Sequence, residues 1–310
     1  AQFRVSEFHF EVVGDILTPD ILDFLETVPP GMFQFEIGIQ TTDESVQETI
    51  QRKQNNDKLF NTIKRLVAKD RIHFHCDLIF GLPGENMEMI LNSFRQVLSL
   101  RPHELQLGFL KFLPGAPIKS SIESHQYQYQ STPPYELISN KDLSAEELDY
   151  LKKFADIFDR FYNSKRFRFS IGALLDKMDA VALFDHLLKH HESKGLFMNP
   201  VSMDAQYQIF QEAFFSTPSN GEKDLLKLDY LYSQRSYRLP GFLSEKSSGK
   251  TWKQDRQTPI IPFQHEIEIS GSQALLKSTE HLVYYAISHS NNGGGYFHRP
   301  VLNRIEESES

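Results

Sequence analysis

Asp77-Leu78-Ile79-Phe80-Gly81-Leu82-Pro83-Gly84-Glu85 places an acidic group and a glycine turn at the end of an apolar run. That is where an α/β barrel or an open parallel sheet does its chemistry. The residues leading into it, Ile72-His73-Phe74-His75-Cys76-Asp77, alternate strictly. Ile72, Phe74 and Cys76 therefore share one face of a strand, and His73, His75 and Asp77 share the other. An interior face carrying two histidines and an aspartate is costly unless something uses it.

The same alternation recurs on both sides of this strand. Val5 to Val12 sets Phe8, Phe10 and Val12 against His9 and Glu11, and Met32 to Gln40 sets Phe33, Phe35, Ile37 and Ile39 against Gln34, Glu36, Gly38 and Gln40. Leu105 to Leu113 reads as a further strand. Between the strands lie helical patterns: Thr18-Pro19 opens one, Thr41-x-x-Glu44 is a capping box for the next, Asp57 to Lys69 follows, and Met89 to Leu98 precedes the last strand. Alternating strand and helix patterns predict βα units around a parallel sheet. An antiparallel sheet with one wet face would alternate in the same way, but it would not need the intervening helices. The apolar faces are expected under the helices, with the polar faces lining a cavity.

After Pro114-Gly115-Ala116-Pro117 the character changes. Residues 123–143 read as an irregular connection rich in Ser, Gln, Tyr and Pro. Ser144-x-x-Glu147 caps a helix whose Leu148, Leu151, Phe154, Phe158 and Phe161 form one stripe. Helical patterns continue through Ala173 to His191, Met203 to Phe215 and Lys223 to Ser236. Alternating runs at Ile260 to Ile269 and His281 to Ser288 suggest a small terminal sheet, Ser290 to Gly295 a flexible turn, and the tail after Ile305 disorder. The expected division is 1–122, the C-terminal portion of a barrel; 123–143, a connection; and 144–305, a mostly helical α+β domain.

A net charge of −8 and a pI near 5.9 argue against a nucleic-acid partner bound through phosphates. No run is long and apolar enough to span a membrane, and the start lacks the regions of a secretion signal. The expectation is a cytoplasmic protein. The single cysteine, Cys76, excludes an internal disulfide. Because the chain opens without methionine, inside a strand pattern, it reads as a segment of a longer protein.

Four residues of the polar face carry the chemistry. Glu11 and Asp77 can accept from hydroxyls or an ammonium, Gln40 can accept or donate, and Arg52 can hold a carboxylate. Ile79 offers an apolar contact beside glycines that let backbone approach a planar ring. His9, Glu36, His73 and His75 are candidate substrate-facing groups.

Glu36-Ile37-Gly38-Ile39-Gln40-Thr41, Arg52 twelve residues past Gln40, and the Asp77 to Glu85 run together resemble radical S-adenosylmethionine (radical SAM) enzymes. The subgroup is that of the anaerobic coproporphyrinogen dehydrogenases, methylthiotransferases and Elongator-like proteins. His9-Phe10-Glu11 matches its preceding strand, and Phe109 to Pro117 resembles its last barrel strand. Pro133-Pro134-Tyr135-Glu136 and Asp159-Arg160-Phe161-Tyr162-Asn163-Ser164 look like a subfamily with a cobalamin-binding domain, a radical SAM core and an uncharacterised C-terminal domain.

The resemblance implies an α/β fold, the C-terminal part, about four strands, of a partial (βα)6 barrel. It implies that Glu11 binds the amino group of the methionine moiety and Arg52 its carboxylate. Gln40 and Asp77 would contact ribose, while Ile79 and the backbone of Lys111, Phe112 and Leu113 would flank adenine. The implied partners are S-adenosylmethionine, an unknown substrate, an electron donor and the upstream part of the same protein, with cobalamin a further cofactor option.

The departure is the family's Cys-x-x-x-Cys-x-x-Cys, the ligand set of a [4Fe–4S] cluster, which one cysteine cannot supply. The Gly-Gly-Glu segment that follows the second barrel strand is also absent, so both are expected upstream. The segment alone is expected to be inactive and to hold no metal. The alternative is a degenerate, non-catalytic nucleoside-binding or interaction module. Among other residues, Cys76 reads as a packed core thiol. The His186/His190 pair lacks the glutamate of a zinc-binding H-E-x-x-H helix. Lys246 to Lys253 with Trp252 reads as a solvated loop.

Overall fold

The computed structural model describes residues 6–197, 201–233, 239–244, 260–270, 273–289 and 300–305. The chain divides into two compact units, Ala1–Asp159 with Asp179–Val181, and Arg160–Met178 with Ala182–Ser310. The helix capped by Ser144 thus belongs to the first unit.

The first unit is built on four parallel strands in the order β1 (Phe8–Glu11), β2 (Phe33–Gln40), β3 (His73–Phe80) and β4 (Glu104–Phe109). Each is joined to the next through helices: α1 (Pro19–Leu25), then α2 (Glu44–Thr49) with α3 (Asn56–Lys69), then α4 (Met87–Ser99). Parallel pairing removes the antiparallel alternative. Phe35, Ile37, Ile39, Phe74, Cys76, Leu78, Leu105 and Leu107 are buried, and so are Leu59, Ile63 and Leu66 of α3 and Ile90, Phe94 and Val97 of α4. The period-2 and period-3.6 stripes are the two halves of this core. α5 (Ala145–Phe158) extends it, its Phe154 and Phe158 rings meeting Phe94 edge-on at 5.0 and 5.2 Å.

The Ser144–Glu147 capping box is formed as expected. At α2 the cap moves: Asp43, not Thr41, accepts from the amides of Ser45 and Val46 at 3.0 and 3.1 Å. A carboxylate is the stronger acceptor at a helix N-terminus, and Thr41 is drawn into a contact with Ser93 instead. Thr18 stands at the N-cap of α1 without a side-chain hydrogen bond, so Pro19 carries that helix start.

Residues 110–143 are less irregular than their composition suggests. Lys111 bridges Glu136, and a short antiparallel pair, β5 (Gln128–Tyr129) with β6 (Leu137–Ser139), packs against the end of β3. Tyr127 donates its hydroxyl to the Gly81 carbonyl at 3.1 Å, and Leu137 fills the space that a side chain at Gly81 would need.

In the second unit, α6 (Arg168–Leu175), α8 (Met203–Phe214) and α9 (Asn220–Ser233) accompany a three-stranded antiparallel sheet, β7 (Ile260–Ser270), β8 (Gln273–His289) and β9 (Pro300–Ile305). The expected helix from Ala173 to His191 is two helices, because the amides of Lys177 and Met178 both turn back to the Leu174 carbonyl and end α6. The second, α7 (Ala180–Ser193), begins after Asp179. β8 starts earlier than expected, since Gln273 to Ser278 pairs with the outer half of β7. Polar residues there hide the strand from a hydrophobic pattern. Phe169, Leu225, Leu228, Leu231, Ile261, Phe263, Val283 and Tyr285 make the core. The Ser290–Gly295 turn, Trp252 and the tail lie outside the described residues.

Candidate functional site

Register across the parallel sheet arranges the polar face in rows. Glu11, Glu36, His75 and Glu104 are consecutive neighbours across all four strands, and Gly38, Asp77 and Gln106 form the next row toward the strand C-termini. Ile79 pairs with Gly108 in the row beyond, an apolar side chain beside a position that has none.

The second row is the meeting point. A bulge at the end of β2 shifts the register after Gly38, so that Gln40 pairs with Leu78, and Gln40 itself adopts a left-handed backbone with φ 67°. Such a conformation costs a non-glycine residue roughly 1–2 kcal/mol. Its effect is to turn the side chain onto the polar face over Gly38, where a Cβ on Gly38 would lie 2.5 Å from Gln40 Nε2. Gln40 Oε1 is buried without a hydrogen-bond partner.

Arg52 reaches the same point from the far end of α2. Its amide closes that helix on the Gln47 carbonyl at 2.8 Å, and its guanidinium donates to the Gly38 carbonyl and, at 3.0 Å, to Gln54. Burial lowers its pKa, partly offset by Asp15, but an arginine stays charged. Asp77, the register partner of Gly38, is the third group. Gln40, Arg52 and Asp77, far apart in sequence, thus converge on one glycine.

The remaining candidates are spread around this point. Glu11 lies one row away on exposed β1, and His9 Nε2 stands 3.1 Å from Glu36 Oε2. His75 has Asp77 Oδ1 3.2 Å from Nε2 and Glu104 Oε2 3.9 Å from Nδ1. These carboxylates, Asp77 foremost, raise its pKa above the ordinary imidazole value against the opposing effect of burial. Asp77 Oδ1 still lacks a well-aligned hydrogen bond. His73 is 1% exposed at the start of β3, with Glu104 Oε1 3.6 Å from Nε2. The Phe112 ring is buried against Tyr129 and Tyr127 at 4.5 and 4.9 Å, and its amide donates to the Tyr135 carbonyl, while Lys111 and Leu113 are exposed on either side.

Glu85, the last residue of the opening stretch, has a role that the sequence pattern does not assign. It is 1% exposed and accepts from the amides of Gly81 and Leu82 at 3.1 and 3.3 Å. Burial pushes its carboxyl up to about 8, with a hydrogen bond from Thr41 opposing. It pins the turn after β3, where Gly81 and Gly84 take φ of 87° and 81°, to the loop after β2. A glutamate four residues past a positive-φ glycine is the signal that could have found it.

The donor sets separate two of the cofactors that the resemblance implies. An unpartnered Gln40 oxygen, the Asp77 carboxylate and a half-buried Arg52 fit a ligand with hydroxyl donors and a carboxylate. An iron–sulfur cluster does not fit: Cys76 is fully buried on the helix-covered face, and burial raises its thiol pKa. Among the described residues no group of three His, Cys, Asp or Glu could hold a metal ion, and no helix is long and apolar enough to cross a membrane.

Comparison with known proteins finds similarity over two segments of the chain. Residues 2–97 match the radical SAM superfamily, and residues 123–270 match a family described as a protein of unknown function (DUF4080). The cobalamin-dependent radical SAM methyltransferase TokK of Streptomyces tokunonensis is 30% identical over 98 residues, which are 31% of this chain and 14% of that protein. Anaerobilin synthase of Escherichia coli O157:H7 is 24% identical over 113 residues, 36% of this chain and 25% of that protein. The chain therefore spans a quarter or less of the length of these curated relatives. Among solved structures, coproporphyrinogen III oxidase (HemN) from Escherichia coli matches with a TM-score of 0.36 and 22% identity, over 50% of this chain and 32% of that one. The parallel-sheet segment is thus similar to the radical SAM superfamily, and the segment after it to the DUF4080 family.

Proposed function

We propose that the parallel-sheet unit supplies the nucleoside side of an S-adenosylmethionine site within a larger radical SAM enzyme. The observation that carries this reading is the convergence of Gln40, Arg52 and Asp77 on Gly38. Gln40 Oε1 and the Asp77 carboxylate accept from the ribose hydroxyls, and Arg52 attracts the methionine carboxylate. Glu11 takes the ammonium, Ile79 beside Gly108 seats the adenine edge, and exposed Lys111 and Leu113 border that seat. S-adenosylmethionine brings a sulfonium whose reductive cleavage yields a carbon radical that abstracts hydrogen from a substrate.

The residues of this chain bind and orient; they do not carry the electron. In this reading the cluster ligands, the electron donor's docking site and the rest of the barrel come from the parent protein. The similarity to a cobalamin-dependent methyltransferase supports cobalamin as a further cofactor of that parent.

The test is calorimetric titration of the 310-residue chain with S-adenosylhomocysteine, paired with iron and sulfide reconstitution. Saturable binding of one equivalent is expected, with no four-iron EPR signal. Absence of binding would overturn the proposed site, and a four-iron signal would overturn the assignment of the cluster ligands to the parent.

A further inference from the structure

Gly38 stands at the centre of the site yet has no role in the scheme above. It lies on the polar face of β2, directly across from Asp77, and its carbonyl is already used by Arg52. A Cβ built on it meets only one residue within 4 Å, Gln40, at 2.5 Å from Nε2 and 3.5 Å from Cδ. The place where a side chain would stand is taken by the Gln40 amide.

That amide arrives there by an unusual route. Gln40 sits after a bulge, in a left-handed backbone conformation, and folds back along its own strand instead of projecting outward. With Nε2 seated over Gly38, the oxygen Oε1 is left buried and without a partner. A buried acceptor with no donor is a cost that binding a donor would relieve. The gap at Gly38 is what allows this orientation.

We infer that Gly38 is a positioning residue: its missing side chain forms the seat that holds the Gln40 amide, aiming Oε1 at a ligand hydroxyl next to Asp77. The inference rests on the nucleoside reading for the identity of the ligand, though not for the seating of the amide. It distinguishes Gly38 from glycines required by backbone angle, since only the space above it is at issue. Because the displaced atom is the far end of a flexible side chain, alanine at 38 is sterically cheap to the fold and expensive only to the position of Gln40.

The experiment compares the 310-residue chain with Gly38→Ala, Gln40→Ala and the double variant, using S-adenosylhomocysteine as probe and the side-chain amide resonances of Gln40 as a ligand-free readout. Each single variant is expected to bind about tenfold more weakly, the worth of one hydrogen bond, and the double variant no more weakly than either alone. In Gly38→Ala the Gln40 amide resonances should shift in the absence of probe while the backbone spectrum outside this strand is retained. Unmoved Gln40 resonances in Gly38→Ala would overturn the inference whether or not the probe binds. So would wild-type affinity in that variant, or losses that multiply in the double variant. Failure of the wild-type chain to bind the probe while the resonances shift would instead overturn the nucleoside reading and leave the seating of Gln40 by Gly38 supported.

Discussion

A pair of buried aspartates in the second unit and the polar face of the first unit are partnered in opposite ways. In the second unit, Asp224 is fully buried and accepts from the amides of Gln264 and His265 at 2.8 and 3.0 Å, from His265 Nδ1 at 3.0 Å and from Lys227 Nζ at 3.3 Å. Lys227 is 1% exposed and also donates to the Pro262 carbonyl at 3.0 Å. Asp229 closes the start of α6 by accepting from Phe169 and Ser170 at 2.7 and 2.9 Å. Protein groups meet these charges from several sides, which is what a scaffold requires. On the polar face of the first unit, Gln40 Oε1 and Asp77 Oδ1 keep unused acceptor capacity while sitting next to a charged arginine and a gap. These unused acceptors lie where the proposed function puts the ribose hydroxyls.

The contrast can be broken most severely in the scaffold. Asp224→Ala should cost about 3–5 kcal/mol, because it removes the acceptor that Lys227 Nζ, His265 and two backbone amides share; urea unfolding followed by circular dichroism measures this. A change under 1 kcal/mol would mean that the network is less buried in solution than in the structure.

Next in size is Asp77→Asn. Loss of a charged acceptor should weaken S-adenosylhomocysteine by about 1.5–3 kcal/mol, roughly ten- to a hundredfold, with unfolding stability held within about 1 kcal/mol. If stability falls as far as for Asp224→Ala, Asp77 belongs with the scaffold and the contrast fails.

Glu85 is the intermediate case, a scaffold carboxyl placed at the edge of the site. Its folded pKa, about 8, lies above the unfolded 4.5, so folding takes up a proton between these values. Its stabilising contribution is complete below about pH 4.5 and is lost as pH rises through about 8. The slope is at most about 1.4 kcal/mol per pH unit. Glu85→Gln keeps an acceptor for Gly81 and Leu82 but cannot ionise, so its melting temperature should gain on wild type as pH rises from about 5 to about 8. Parallel melting curves for the two proteins would place Glu85 in contact with water.

Much of the first unit was legible because its physics is local. Strict alternation at His73 to Asp77 and at Phe33 to Gln40, with helical stripes between, leaves a parallel sheet with one polar face as the consistent arrangement. The Ser144–Glu147 cap is also local and forms as written. Thr41 misled because a cap is a competition: Asp43 stands two residues on, and Ser93 arrives from a distant helix. The second unit was harder to read. Its longest strand, β8, carries Lys277, Ser278 and Thr279 where a pattern would need apolar residues, and only pairing with β7 makes it a strand.

For the site, the sequence by itself determined which residues could share a face and that the turn after Phe80 must use glycine. It determined too that one cysteine cannot ligate a cluster. Only the tertiary structure decided that Gln40 bends back over Gly38, that Arg52 reaches the same carbonyl from another helix, that Glu85 locks the turn, and that His73 and Phe112 are enclosed. The physical reason is range. Periodicity and capping depend on neighbours a few residues away, whereas a bulge, a buried orphan acceptor and a gap shaped for one amide depend on where other strands and helices come to rest.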